Sequence, residues 1–255
     1  MKFGICTLNS IPLRVDASDT SEMVSQLLFG EHFKVLETKK QWLYVKLDFD
    51  GYQGWLDSKQ VEKITEEYYL ELKESTTIFS NELINFATTE NDKLIPLSVG
   101  ATLPNYKNGT FNINNKSFSF DGKVIESSLT KDNIIKTAFI YLNAPYLWGG
   151  KSPFGIDCSG FTQMVYKLNG VRLFRDASQQ AKQGVVLSFI EESEPGDLAF
   201  FDNDEGKITH VGIILANNFI IHASGKVRLD RLDQSGIYNE ETNRHTHKLR
   251  LIKKI

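Results

Sequence analysis

A helical pattern of apolar residues follows a loop rich in glycine and proline in the second half of the chain. Its apolar positions, three and four residues apart, are Phe161, Met164, Val165 and Leu168. This spacing places them on one helical face, and Asn169-Gly170 supplies a stop signal. Cys158 comes just before the apolar stripe. The pattern therefore predicts a helix that begins close to Cys158.

A second helical pattern runs from Lys131 to about Leu142, with Thr130 as a suitable N-cap. Beyond the Cys158 helix, residues 178–183 predict a shorter helix. Strands are predicted at the end of residues 194–201, after a Pro-Gly turn, and over residues 210–215 and 219–223. Helices followed by antiparallel strands indicate an α+β architecture for residues 129–255.

The first half of the chain has a different pattern, with short apolar and aromatic runs between turns. Residues 33–37, 42–47 and 54–57 predict strands, and their close spacing indicates a small barrel over residues 1–63. Residues 64–128 continue in the same way, with strands predicted over 68–72, 76–79, 101–104, 110–113 and 117–122. Asn114-Asn115 between alternating residues predicts a hairpin turn.

Composition narrows the class of protein. The apolar fraction of 41% and charged fraction of 24% are ordinary for a globular chain. A net charge of −3 gives no reason to expect a nucleic-acid partner, and no apolar run is long enough to span a membrane. No secretory signal precedes the polar residues 14–19. The expected compartment is the cytoplasm, or the periplasm or cell exterior if a leader has been removed.

The two cysteines, Cys6 and Cys158, fall in different predicted domains. A disulfide framework is therefore not expected, and a reducing compartment is favoured. Unpaired N–H groups and the dipole at a helix N-terminus stabilise a thiolate, which is the nucleophilic form of cysteine. The position of Cys158 therefore indicates an active site that needs a base.

Five histidines are candidates for that base: His32, His210, His222, His245 and His247. His245 and His247 lie in a polar tail segment and are expected to be exposed, and His32 belongs to the first barrel. His210 and His222 lie at the edges of two apolar strands in one predicted hairpin.

Register decides whether these two histidines share a face. A two-residue turn at Asn217-Asn218 would put them on opposite faces, because side chains alternate along a strand. A three-residue loop, residues 216–218, would place His222 opposite Gly212 and diagonal to His210. Asparagine tolerates the positive φ that such a loop requires. We therefore predict the three-residue loop, with both histidines on one face.

A cysteine and a histidine oriented by a third polar group form an activated nucleophile. Cys158 would be the nucleophile, His210 the base and His222 the residue that fixes the tautomer of His210. Two alternatives stay open: both histidines could be satisfied sheet residues without a catalytic role, or the three residues could be metal ligands.

The ordered motifs resemble a known family. Residues 146–150 (YLWGG), 157–161 (DCSGF), 195–201 (PGDLAFF), 210–213 (HVGI) and 221–224 (IHAS) are similar to the NlpC/P60 cysteine peptidases of bacterial cell-wall peptides. Residues 26–31, 42–45 and 52–55 resemble bacterial SH3-like (SH3b) domains. The resemblance implies a papain-like catalytic domain over 129–255, behind SH3-like barrels over 1–63 and, in divergent form, 64–128.

The domain order resembles γ-D-glutamyl-L-diamino-acid endopeptidases of the YkfC type. It implies cleavage between γ-D-glutamate and the diamino acid of murein stem peptides, with a free N-terminal L-alanine and release of L-Ala-γ-D-Glu. It implies the catalytic roles given above, peptides derived from murein as partners and no cofactor or metal. A binding module without activity, and an amidase or acyl transferase acting on another envelope substrate, are the rival interpretations.

Binding residues are also implied by the resemblance. Asp157 would bind the ammonium of the substrate, with capping of the helix as its alternative role. The other implied binding residues are Tyr146, Ser159 and Ser178 along the groove, and Glu22 and Tyr52 from the first SH3-like domain. An ammonium in a closed site needs charged or hydroxyl acceptors. For Glu22 the alternative is a solvated surface carboxylate.

Overall fold

The computed structural model describes residues 2–126 and 130–255. The chain divides into two compact units, Met1–Ser127 with Trp148–Pro153, and Ser128–Leu147 with Phe154–Ile255. The predicted domain boundary at 128/129 lies outside the described residues. In the described ranges, no helix combines the length and the apolar character that crossing a membrane would require.

In its described residues, the first unit contains the α-helix α1 (Glu66–Glu74), a 3-10 turn (Ser58–Gln60) and mostly short strands. These are β1 (Phe3–Cys6), β2 (Ser10–Arg14), β3 (Met23–Leu28), β4 (His32–Lys39), β5 (Trp42–Leu47), β6 (Gln53–Asp57), β7 (Val61–Ile64), β8 (Ile78–Ser80), β9 (Ile84–Thr89), β10 (Leu94–Ser98), β11 (Thr102–Leu103), β12 (Thr110–Ile113), β13 (Lys116–Ser119), β14 (Val124–Glu126) and, from the separate segment, β15 (Lys151–Ser152).

The second unit contains the helices α2 (Lys131–Ile140), α3 (Cys158–Leu168) and α4 (Ala177–Gln180). Its strands are β16 (Gly155–Ile156), β17 (Val185–Leu187), β18 (Leu198–Asp202), β19 (Ile208–Leu215), β20 (Phe219–Ser224), β21 (Lys226–Asp233), β22 (Gly236–Asn239) and β23 (Arg244–Lys254).

Strands β1 to β7 form a seven-stranded antiparallel sheet in the order β3-β2-β6-β5-β4-β1-β7. The three predicted strands are confirmed. Residues 33–37 lie within β4, residues 42–47 are β5, and residues 54–57 lie within β6. Alternate side chains, including Leu43, Val45 and Leu56, enter an apolar core, as the period of a half-buried strand requires.

Strands β8 to β14 form a four-stranded sheet, β10-β9-β13-β12, and a three-stranded sheet, β11-β8-β14. The turn at Asn114-Asn115 is confirmed, because Ile113 pairs with Lys116. The strand predicted over 68–72 is wrong, since these residues belong to α1. Thr65 caps this helix by accepting a hydrogen bond from the Tyr68 N–H, and Tyr69 and Leu72, three residues apart, are buried.

A single apolar cluster joins these two sets of strands. It contains Phe3, Ile5 and Phe29 from the first set and Phe111 and Phe118 from the second. Phe29 meets Phe111 edge to face at 5.7 Å, and Phe111 stacks on Phe118 at 4.9 Å. Residues 2–126 therefore share buried contacts, and the predicted division at 63/64 stays a prediction.

The segment Trp148–Pro153 packs within the first unit. Gly149 has a positive φ of 77°, and a Cβ there would lie 2.4 Å from the carbonyl oxygen of Met23. The Lys151 N–H donates to Gln26 Oε1 at 2.8 Å. Lys151 Nζ lies 3.1 Å from both carboxylate oxygens of Glu31, and its side chain is fully buried.

Replacing Lys151 by methionine should lower the free energy of unfolding of the first unit by about 3–5 kcal/mol, because the Glu31 carboxylate would stay buried without its cation. The double variant Lys151→Met, Glu31→Met should recover much of that loss. Urea unfolding followed by tryptophan fluorescence measures both. The control is Lys59→Met, which removes the partner of Asp57 at a lysine that is 75% exposed and should cost less than about 1 kcal/mol. Equal losses in Lys151→Met and Lys59→Met would contradict the prediction.

The second unit is built on a closed antiparallel barrel. Strands β18 to β22 follow one another in chain order, and β23 pairs with both β18 and β22. Ala199, Phe201, Ile214, Ile220 and Leu232 belong to its apolar core. Helix α3 packs against β19 and β20, and every residue of α3 is buried. The start of α3 lies beside Thr209, near the beginning of β19.

Candidate active site

Cys158 is the first residue of α3, as the apolar pattern predicts. Asp157 is the N-cap, and its Oδ1 accepts a hydrogen bond from the Gly160 N–H at 2.6 Å. The capping role considered for Asp157 is therefore present. It fixes the backbone that presents the Cys158 thiol.

The hairpin register is confirmed. Gly212 pairs with His222 and Leu215 with Phe219, which leaves a three-residue loop containing Asn217 and Asn218, both with positive φ. A Cβ on Gly212 would lie 2.8 Å from the His222 Cβ, so glycine is required opposite the imidazole.

The two histidines lie on one face. His210 Nε2 and His222 Nδ1 are 2.8 Å apart, and both rings are buried. This hydrogen bond uses Nε2 of His210, so Nδ1 is the ring nitrogen of His210 that can act as a base.

Cys158 lies against the strand that carries His210. Its Sγ is 4.0 Å from the carbonyl oxygen of Thr209, the residue before His210. Burial, with a smaller contribution from Asp157, raises the pKa of the Cys158 thiol to about 12. Burial and the neighbouring His222 hold the pKa of His210 well below its usual range. Both shifts favour a neutral thiol and a neutral imidazole over the ion pair in the absence of substrate.

A buried arginine supports the start of α3. Arg175 Nη1 and Nη2 lie 2.9 and 2.6 Å from the two carboxylate oxygens of Asp157. Arg175 Nη1 also donates to Ser159 Oγ at 3.0 Å. The Arg175 side chain is 1% exposed, so its guanidinium compensates the Asp157 charge away from solvent. Sequence reasoning missed Arg175, because the arginine comes from a loop seventeen residues beyond Cys158.

Tyr146, Asp157 and Ser159 are brought together around Cys158. Burial raises the pKa of the Tyr146 phenol to about 12, and the nearby Cys158 and Asp157 add to that effect. Ser178 is exposed on α4, which packs against β19.

Glu22 and Tyr52 belong to the first unit. There Glu22 Oε1 accepts a hydrogen bond from Trp148 Nε1 at 2.6 Å, and the Tyr52 N–H donates to Asp50 Oδ1. Their assignment to substrate binding stays a prediction.

Two further side chains contact the histidine pair. Asp230 Oδ2 lies 2.9 Å from His222 Nε2. The His247 ring stacks on the His210 ring, with centroids 4.1 Å apart. The expected exposure is confirmed for His245, but His247 is half-buried. Thr246 is an extra, bulged residue between the Ile237–His247 and Tyr238–His245 pairs, so His245 and His247 point to opposite faces and His247 faces the site.

Metal ligation was the open alternative for Cys158, His210 and His222. Across residues 2–126 and 130–255, no group of three or more His, Cys, Asp or Glu side chains is arranged to hold a metal ion. The contacts of the three residues are instead hydrogen bonds and ring contacts with protein groups.

Comparisons with known proteins give the family. Residues 143–247 match the NlpC/P60 family, and residues 13–61 match the bacterial dipeptidyl-peptidase Sh3 domain. The γ-D-glutamyl-L-lysine dipeptidyl-peptidase of Bacillus subtilis (strain 168) is 31% identical over 239 residues, covering 87% of this chain and 75% of that protein. The protein of the same name from Bacillus cereus (strain ATCC 10987 / NRS 248) is 29% identical, with coverage of 81% and 68%.

The crystal structure of an NlpC/P60 family protein from Bacillus cereus ATCC 10987 has the same fold. It superposes with a TM-score of 0.83 at 20% identity and covers 99% of both chains. The ordered motifs, the likeness over most of the chain and the shared fold agree. This chain belongs to the NlpC/P60 family and carries an N-terminal SH3 domain of the bacterial dipeptidyl-peptidase type.

Proposed function

We propose that this chain is a cysteine peptidase that cleaves the bond between γ-D-glutamate and the diamino acid of murein stem peptides. The observation that carries the proposal is the placement of Cys158 at the start of α3, against the strand of His210, with His210 bonded to His222 at 2.8 Å. A thiol, a base and a group that orients the base are the parts that acyl transfer through a thioester requires.

The names of the relatives support the substrate class. Two of them are γ-D-glutamyl-L-lysine dipeptidyl-peptidases, and each resembles this chain across most of its length. The substrate proposed here has a free N-terminal L-alanine, and the released product is L-Ala-γ-D-Glu.

The reaction proceeds in two steps. Nδ1 of His210 takes the Cys158 proton as Sγ attacks the γ-carbonyl carbon of D-glutamate, and backbone N–H groups at the start of α3 stabilise the oxyanion. The C–N bond breaks, and the amine of the diamino acid leaves with the proton from His210. Water, activated by the same imidazole, then hydrolyses the thioester and restores the thiol.

The binding groups proposed for this substrate are Asp157, Ser159, Tyr146 and Ser178. Asp157 would bind the ammonium of L-alanine, because a carboxylate is the acceptor that a buried ammonium needs. Arg175 and Gly160 already bond to it. Its orientation toward the substrate would therefore be set before binding.

We propose two further features of the fold. Residues 64–128 would form a second, divergent SH3-like barrel, and the second unit would be papain-like, with a nucleophile helix packed against a barrel that carries the base. The physiological role would be the recycling of wall peptides in the cytoplasm. The two free, buried cysteines are compatible with a reducing compartment.

The test is the hydrolysis of L-Ala-γ-D-Glu-L-Lys, with products identified by mass spectrometry. We expect L-Ala-γ-D-Glu and free lysine. We expect a loss of kcat/KM of about 10²-fold or more for the N-acetylated peptide, which leaves the amine-binding groups unpaired. The α-linked isomer is the matched control and should not be cleaved. Cleavage at another bond would favour an amidase or transferase, and binding without cleavage would favour an inert module.

A further inference from the structure

A continuous line of hydrogen bonds runs from Asp230 to His210. Asp230 Oδ2 lies 2.9 Å from His222 Nε2, and His222 Nδ1 lies 2.8 Å from His210 Nε2. The side chains of His222 and Asp230 are 1% and 4% exposed. Water therefore does not compete for these bonds, and each ring nitrogen in the line has one protein partner.

The carboxylate at the end of the line decides where the protons lie. An ionised Asp230 can only accept, so Nε2 of His222 carries the proton and Nδ1 of a neutral His222 is an acceptor. His210 Nε2 must therefore donate to His222 Nδ1, which places the single proton of neutral His210 on Nε2. Nδ1 of His210 is then left without a proton, which is the state that a base for Cys158 needs.

Asp230 is held in the ionised form by its neighbours. Arg228 Nε lies 2.8 Å from Oδ2, and Arg228 Nη2 donates to Oδ1 at 3.1 Å. Asn239 Nδ2 reaches Oδ1 at 3.4 Å. Burial acts to raise the pKa of Asp230, but the bonds from His222 and Arg228 outweigh it and hold that pKa below its usual value.

Strand register produces this arrangement. His222 pairs with Arg228 and Ile220 with Asp230 across β20 and β21, so all four side chains share one face. The titratable and charged groups around the two imidazoles are Cys158 from α3, Arg228 and Asp230 from β21 and His247 from β23, with Glu241 paired to Arg228. Burial lowers the pKa of His247 to about 4, so it is neutral near pH 7.

We infer that Asp230, fixed by Arg228, is a positioning residue for the reaction. It sets the tautomers of His222 and His210 and stabilises the imidazolium that forms when His210 takes the Cys158 proton. The inference rests on the proposed function only in its assignment of His210 as the base. It does not depend on which acyl substrate the enzyme cleaves.

The test compares Asp230→Asn with the wild-type enzyme in two assays across pH, peptide hydrolysis and alkylation of Cys158 by iodoacetamide. We expect both rates to fall between about 10- and 10³-fold, because asparagine can donate to His222 and impose the wrong tautomer. Removing the negative charge also lowers the proton affinity of the imidazole pair, so the acid limb should move to lower pH. A defect in packing alone would instead admit water to the imidazoles. Water raises their pKa, so the acid limb would move to higher pH.

Asp233→Asn is the matched control, because Asp233 lies on the same strand and pairs with the exposed His245. It should leave both assays unchanged. Asp230→Glu keeps the charge and should keep the wild-type acid limb. An alkylation rate and acid limb in Asp230→Asn equal to those of the wild type would overturn the inference.

A measurement on the wild-type protein covers the case in which Asp230→Asn does not fold. Ring ¹⁵N chemical shifts at neutral pH should show Nε2 protonated and Nδ1 unprotonated in both His210 and His222. A proton on Nδ1 of His222 would also overturn the inference. If the alkylation profile shifts as expected but the peptide is not cleaved, the proposed function fails and the positioning role stands.

Discussion

Replacing Cys158 by alanine is expected to lower kcat/KM for L-Ala-γ-D-Glu-L-Lys by at least about 10⁴-fold, because no other group at the start of α3 can form the thioester. His210→Ala should cost a similar factor. The two residues act in the same step. The rate of the double variant should therefore lie within about tenfold of the rate of the slower single variant. Initial rates from mass spectrometry of the released dipeptide measure all three.

Cys6→Ala is the matched control for this series. Cys6 is the other free cysteine, is fully buried in the first unit and donates to the Leu8 carbonyl oxygen. Burial raises its pKa to about 12, as for Cys158, so the two thiols differ in position rather than in acidity. Cys6→Ala should keep wild-type activity at a temperature where it is folded. Activity in Cys158→Ala equal to that of Cys6→Ala would refute the mechanism.

The histidine pair could be predicted from sequence because strand geometry is local and periodic. Once the loop between β19 and β20 contains three residues, the period of two places His210 and His222 on one face. The start of α3 could also be predicted from sequence, because an apolar stripe and a stop signal lie within one short stretch. The start of α1 carried a signal too, in Thr65 followed by Glu66 and Glu67, but its aromatic residues favoured the strand prediction.

Asp230 and His247, which contact the histidine pair, could not be predicted in this way. Val227 and Leu229 flank Arg228, and an alternating strand would turn Asp230 toward solvent, yet Asp230 is buried and Leu229 is 39% exposed. Asp230 is buried because His222 from β20 and Asn239 from β22 meet it on the face that it shares with Arg228. His247 faces the site only because a bulge changes the alternation in β23. Local sequence patterns carry no information on the contacts that Asp230 and His247 make with the histidine pair.

Arg175 is the residue of the site with the largest expected effect on stability. Arg175→Met should lower the free energy of unfolding of the second unit by about 3–5 kcal/mol, because Asp157 would stay buried without its cation. Activity should fall with it, since Asp157 caps the helix that begins at Cys158. Lys182→Met, at an exposed position seven residues later, is the control and should change stability by less than about 0.5 kcal/mol. Urea unfolding measures these differences.

The double variant Asp157→Asn, Arg175→Met separates the two roles of Asp157. Asparagine is a good N-cap and carries no charge, so stability should return to within about 2 kcal/mol of the wild type. An amide does not replace a carboxylate for an ammonium, so the preference for the free-amine peptide over its N-acetylated form should shrink by about tenfold or more. Recovery of stability together with an unchanged preference would show that Asp157 acts as a cap alone, and the ammonium would then need another acceptor.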